Sequence, residues 1–275
     1  MMHMHRDSFA IVCDGADEFR RVARQMCREG VDTLKINPSG DEFVPYARAH
    51  QTVMTDAEVA AVCEVARAHG KRIAAHARSA ESVKMSLRHG VEIIYHATLC
   101  DEEARDMLEA HKDRVFVAPT LGNAYATLHE ASKWGITPEV AERRGVRREF
   151  EIAIENMKDL DRRGVRVMPG GDYGFAWNPI GRNARDLEHF VSILGFSPAR
   201  AIMAATKWGG EIMCRGEELG QIKPGFLADI LLVEGNPLAD IQLLQDAGNL
   251  IAIMKDGVFH KAPTTRRSDR PRLSA

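Results

Sequence analysis

The segment KRIAAHARSAESVKMSLRHGVEIIYHATL, residues 71–99, contains two short apolar runs, IAAH at 73–76 and IIYH at 93–96, with a helical stretch between them. Each run ends on a histidine. Apolar runs of this length, bounded by polar and turn residues, read as buried strands. The residues between them carry helix punctuation: Ser79 can accept an orphan amide at a helix start, and Gly90 can take the left-handed conformation that ends one. Strand, helix and strand in this order describe a parallel β-α-β unit, and polar residues at its strand exits fall on one rim.

The same alternation extends outward in both directions. Residues 17–28 place Phe19, Val22 and Met26 on one helical face and stop at Gly30, and TLKI at 33–36 is the next strand. TDAE at 55–58 is a capping box for a helix running to Gly70. A helix is predicted over 101–111 and a strand over 115–119. A helical insertion over 124–163 is broken at WGITP, 134–138, where Thr137 is placed as cap and Pro138 as first helical residue. VRVMPGGD at 165–172 is a fifth strand, and helices follow over 184–194 and 198–208. Two later apolar runs, at 228–233 and 250–254, with a KDG turn at 255–257, form a small β appendage. The expected division is a barrel portion over 1–215, the appendage over 216–262, and a polar tail over 263–275 with no periodicity, expected to be disordered.

With 37 basic and 39 acidic residues the net charge is -2, which gives no general attraction for nucleic acid or anionic lipid. No apolar run reaches the roughly 18 residues of a membrane span. A small molecule is therefore the expected partner. Five cysteines without CxxC spacing, and an N-terminus without a signal-peptide core, point to a reducing cytoplasm.

Strand exits of a parallel barrel converge on one cavity, so Lys35, His76, His96 and Asp172 can meet despite their separation along the chain. Imidazole nitrogen and carboxylate oxygen are zinc ligands, and water on such a cation ionises near neutral pH, which suits attack on an amide or ester carbonyl. Asp172 beside that water can act as general base. Lys35 fits only if it loses its charge through desolvation in an apolar mouth. Blander readings stand beside these. Lys35 can be a solvated edge residue, the two histidines can be core residues bonded to carbonyls, and Asp172 can start a turn with Gly174. Tyr46 and Arg48, in the polar loop after the Lys35 strand, and Arg182 and Asn183, after the Asp172 strand, are candidate clamps for a substrate carboxylate or ordinary loop residues. His50, His69, His89, His111, His129, His189 and His260 are assigned to surface or packing. Trp134 and Trp177 line a pocket or pack a core.

DTLKI, AAHA, YHAT, GGDYG, SPARAIMAAT and LGQIKPGFLADILLVEGNPL together resemble the metal-dependent amidohydrolase superfamily, on its imidazolonepropionase-like and dipeptidase-like branch. The resemblance covers residues 15–261. It implies an α/β fold, a TIM-like (β/α)8 barrel with a β-sandwich built from both chain ends, and hydrolysis of C–N bonds in cyclic amides, dipeptides or N-acyl amino acids. It further implies one or two divalent ions, zinc by expectation, with Lys35 carboxylated by carbon dioxide as a bridging ligand. His76 and His96 would hold the second ion, and Asp172 would hold the first and act as general base. Members of the family carry a His-x-His strand upstream of the lysine. Here only His3 and His5 have that spacing, with no apolar run before them, and five strands stand where eight are expected. The chain therefore reads as the C-terminal portion of such an enzyme, apparently lacking the first strands. A non-catalytic scaffold or binding protein is the alternative, and a single-metal decarboxylase or deaminase a third. An edge unpaired on the Lys35 side predicts a homo-oligomer formed through it.

Overall fold

The computed structural model describes residues 10–44 and 46–263; His3, His5 and the tail beyond 263 lie outside the described residues. Strands β1 (Thr33–Ile36), β2 (Arg72–Ser79), β3 (Ile93–Leu99), β4 (Phe116–Ala118) and β5 (Arg166–Val167) form one parallel sheet in sequence order. Helix α1 (Ala16–Arg28) precedes it. The crossovers carry α2 (Asp56–Ala68), α3 (Ala80–Arg88), α4 (Glu102–Ala110) and, between β4 and β5, α5 (Leu121–His129), α6 (Pro138–Arg143) and α7 (Val146–Arg162). Neighbouring parallel strands joined by helical crossovers build the wall of a β/α barrel. After β5 come α8 (Arg185–Ser192), α9 (Pro198–Ala205) and α10 (Lys207–Ile212), then an antiparallel sheet of β6 (Ile230–Val233), β7 (Leu250–Lys255) and β8 (Val258–Lys261).

One local device sets the rhythm. At the end of α3, Gly90 has φ 85°. Its amide bonds Leu87 O at 3.1 Å, and the Val91 amide bonds Ser86 O at 3.0 Å. This paired closure satisfies two orphan carbonyls and releases the chain directly into β3. The same two bonds recur at Gly30, Gly70 and Gly164, so four helices end alike, each a few residues before a strand. The capping box expected at Thr55 and Glu58 is present, and Glu58 also accepts the Gly15 amide at 3.0 Å, which ties the starts of α1 and α2 together.

The core lies between sheet and helices. Val59, Val65, Val83, Leu87, Ile94, Leu108, Val117, Met157 and Leu160 are fully buried, each contributing about 1.5–3 kcal/mol of apolar transfer.

Several expected boundaries differ. β2 and β3 run three residues past His76 and His96, so neither histidine ends its strand. β5 has only two residues, and Asp172 lies beyond it in a turn. The insertion divides into α5, a 3-10 turn at Ser132–Trp134, α6 and α7, with breaks at Gly135 (φ 81°) and Gly145 (φ 79°). The helix expected over 198–208 splits at Thr206, whose hydroxyl bonds Ile202 O at 2.8 Å and competes with the helical ladder. Among the described residues no helix is long and apolar enough to cross a membrane.

Candidate active site

Strand register decides which side chains meet. Lys35 pairs with Ala74, and His76, two residues on, pairs with Tyr95, so Lys35, His76 and Tyr95 share one face. The Lys35 ammonium stands 4.9 Å from the Tyr95 ring centre. Alternation would send His96, paired with Ala77, to the other face. It does not go there. Between Ala77/His96 and Ser79/Leu99 the register gains one residue on β3, and His96 and Ala97 have φ 74° and 47°. That bulge re-aims His96, and its ring meets the edge of the His76 ring at 4.3 Å between centroids. Left-handed backbone at non-glycine residues costs on the order of 1–3 kcal/mol each, and it recurs at Thr120 (φ 57°) and Asp172 (φ 54°), the exits of β4 and β5.

Each imidazole commits one nitrogen to the protein. His76 Nε2 lies 3.1 Å from Gly40 O, and a carbonyl only accepts, so Nε2 carries the proton and Nδ1 keeps its lone pair. His96 Nδ1 bonds the Thr120 hydroxyl at 2.6 Å, which leaves Nε2. Burial holds His76 below the ordinary histidine range, against the pull of Asp41, and holds His96 well below it, helped by His76, Arg78 and Lys35. Two neutral rings, each anchored through one nitrogen, are what metal ligation requires. The loop that supplies the Gly40 carbonyl packs so tightly that a Cβ at Gly40 would collide with the Ala47 carbonyl. Only glycine fits there.

Sequence reasoning passed over a buried charge cluster beside the histidines. Arg78 donates to Asp41 at 3.1 Å and to Glu149 at 2.8 Å, and it contacts Glu42. Arg78 and Glu42 are 7% and 6% exposed, so these ions are removed from water. Three carboxylates share one guanidinium. Burial, only partly offset by Arg78, pushes Glu42 up to about 8, whereas for Asp41 burial is outweighed by Arg78, Glu42, His76 and the Phe43 amide acting together, and the carboxyl falls below its usual range. Glu42, Arg78, His96, Thr120 and Glu149 line a small cavity of about 20 Å³, room for about one water. Because the folded Glu42 binds its proton more tightly than the unfolded chain does, its contribution to stability is complete below about pH 4.5 and is lost as pH rises through about 8. The Glu42→Gln protein is therefore expected to gain stability on the wild type as pH rises across that window, measured by urea denaturation at several pH values.

The other candidates are placed as follows. Asp172 lies within electrostatic range of Lys35, Asp41 and Arg78, and burial raises its carboxyl against the opposing influence of Lys35. Lys35 itself is exposed. Among the described residues β1 is the edge strand of its sheet, and they do not enclose Lys35 in the apolar mouth expected to desolvate it. Tyr46 is 82% exposed, and Arg48 borders a second cleft that also contains Glu42 and Glu149. Arg182 pairs with Glu130 at 2.9 Å, and the Asn183 side chain accepts the Gly181 amide at 3.2 Å, so both are engaged within their own neighbourhood. Trp177 packs against Phe175 at 5.2 Å and donates to Thr127 at 3.0 Å. Among the described residues no three His, Cys, Asp or Glu side chains stand close enough to hold an ion by themselves.

A model described as Amidohydrolase family matches residues 3–259. The ochratoxinase of Aspergillus niger is 24% identical over 260 residues, covering 92% of this chain and 51% of that protein. A crystal structure of a prolidase complexed with N-methylphosphonate-L-proline superposes with TM-score 0.82 at 27% identity, over 92% of this chain and 60% of that one. A Xaa-Pro dipeptidase with methionine bound in its active site superposes with TM-score 0.78 at 26% identity, over 91% and 60% of the two chains. The chain thus spans about half the length of the curated relatives it matches.

Proposed function

Because the chain belongs to the amidohydrolase family, we propose that it is, or is part of, a metal-dependent hydrolase of a C–N bond in an amide, cyclic amide or peptide-like substrate. The observation that carries this reading is the His76 and His96 pair, with one nitrogen of each ring anchored to the protein and the other uncommitted. His76, His96 and Asp172 would hold divalent metal, zinc by preference, with Lys35 joining as a carbamate formed with carbon dioxide. Bound there, a divalent cation would supply Lewis-acid activation of water and of the scissile carbonyl.

The chain's own groups do the rest. Asp172, as general base, would take a proton from water and return it to the leaving nitrogen. Gly40 and Thr120 fix the two rings, and burial favours their neutral form, helped by the Arg78 guanidinium and opposed at His76 by Asp41. Tyr46 and Arg48, on the loop that follows Lys35, are the groups proposed to meet a substrate carboxylate; Arg182 and Asn183 would first have to leave Glu130 and Gly181. Names of relatives support peptide-like substrates: one is a prolidase and one a Xaa-Pro dipeptidase. A second reading, a scaffold or binding protein without chemistry, is favoured by one observation. Among the described residues no third His, Cys, Asp or Glu joins a pair at liganding range.

Metal content after exposure to zinc and bicarbonate, followed by a hydrolysis screen over N-acyl amino acids and dipeptides including Xaa-Pro, separates the two. Bound zinc with turnover is the expected result. A chain that retains no zinc sinks the hydrolase reading in favour of the scaffold.

A further inference from the structure

Behind the turn that carries Asp172 lies a second carboxylate that the site as described does not use. Asp186, at the start of α8, is 4% exposed. The Tyr173 hydroxyl donates to its Oδ1 at 2.8 Å, and the Gly171 backbone packs directly against the same oxygen. Burial still raises the carboxyl, to about 6. The fit is close on every side. A Cβ at Gly171 would stand 2.5 Å from Asp186 Oδ1, and one at Gly122 would stand 3.0 Å from the same atom. On the other side of the turn the buried Asn178 donates to Gly171 O at 2.9 Å and to Asp172 O at 3.2 Å.

β5 ends at Val167, so no strand ladder holds residues 170–172. Their polar backbone groups need other partners, and Asn178 bonds two of the carbonyls while the Tyr173–Asp186 pair packs against Gly171 from the opposite side. Between the two, Asp172 is held at φ 54°, a conformation that a free chain would leave.

We propose that Asp186 is a positioning residue, a latch that fixes the Gly170-Gly171 turn and thereby aims the Asp172 carboxylate at the mouth shared with Lys35. An apolar residue of similar size would fill the space against Gly171 but leave the Tyr173 hydroxyl without its acceptor. The consequence for metal rests on the hydrolase reading. The latch itself does not.

The test compares Asp186→Ala, Asp186→Asn and Tyr173→Phe with Val59→Ala, a core truncation in α2 that serves as a control for lost stability alone. Amide hydrogen exchange over residues 168–178 and equilibrium zinc affinity of the purified chain are both measured. Asp186→Ala is expected to speed exchange in that segment and weaken zinc binding about 10–100-fold, the range for loss of a group that orients a ligand. Asp186→Asn keeps an acceptor oxygen and should restore most of both. Tyr173→Phe removes one donor and should loosen the segment to a smaller degree, so the latch stays testable if the alanine variant does not fold. Val59→Ala should lower stability and move neither readout. Exchange over 168–178 that is unchanged in Asp186→Ala and Tyr173→Phe overturns the latch. A wild type that takes no zinc, while Asp186→Ala still speeds exchange, upholds the latch and removes only the metal reading.

Discussion

Replacing His96 with asparagine is expected to abolish zinc retention and, with it, any hydrolysis above background, and His76→Asn should do the same. Each substitution removes the uncommitted imidazole nitrogen, and neither leaves enough ligands for a stable site. Thr120→Val provides a graded comparison. It keeps the ring of His96 but deletes the hydroxyl partner 2.6 Å from Nδ1, so the ring can rotate or change tautomer. Its expected cost is about 10–100-fold in zinc affinity, with residual activity. Loss of binding in the histidine variants, and partial loss in Thr120→Val, would show that these nitrogens face a shared ion. Zinc affinity unchanged in all three would place the metal elsewhere and remove His76 and His96 from the site. Isothermal titration with zinc, read alongside circular dichroism to confirm folding, distinguishes these outcomes.

Much of the scaffold is written in local sequence. Each Gly30, Gly70, Gly90 and Gly164 closes a helix and opens a strand, and Thr55, Ser79 and Thr137 cap where their hydroxyls predict. Such signals act within four or five residues, so a single sequence carries them. The meeting of His76 with His96 is legible in part, because parallel strands put their exits on one rim. What sequence could not show is the means. The bulge that turns His96 toward His76 depends on register between β2 and β3, which no residue type declares. Nothing in the residue type marks Asp186 or Arg78 as buried, since burial is settled by what packs over them. Glu42 and Asp41 reach Arg78 from a loop 37 residues upstream, measured from Asp41, and Glu149 reaches it from 71 residues downstream. A buried ion in a sequence is recognisable only through partners that lie far away in it. Lys35 failed in the opposite direction: its apolar neighbours suggested an enclosed mouth, but an edge strand is covered on one side alone.

The largest loss of stability is expected from Arg78→Met. Methionine has nearly the volume and reach of the arginine stem, so packing in the strand survives, and the change isolates the charge. Removing the guanidinium leaves Glu42 buried without its counter-ion, and Asp41 and Glu149 without the donors now at 3.1 and 2.8 Å. Breaking a buried pair from one side typically costs about 3–5 kcal/mol. Three acids depend on this one base, so the upper part of that range is expected near neutral pH. The sign with pH follows from the same cause. In the variant the main counterweight to burial is gone, so the folded carboxyls shift upward; the contribution of a carboxyl held above its unfolded value survives in acid and is lost as pH rises. The gap between wild type and Arg78→Met should accordingly be small near pH 5 and widen toward about pH 8, in urea unfolding followed by tryptophan fluorescence. Adding Glu42→Gln to Arg78→Met should recover part of the loss at the upper end, because it removes the most deeply buried of the unpaired acids. A gap that stays constant across this window would mean that Arg78 stabilises the strand through its hydrocarbon stem, and that the three carboxylates find water once it is gone.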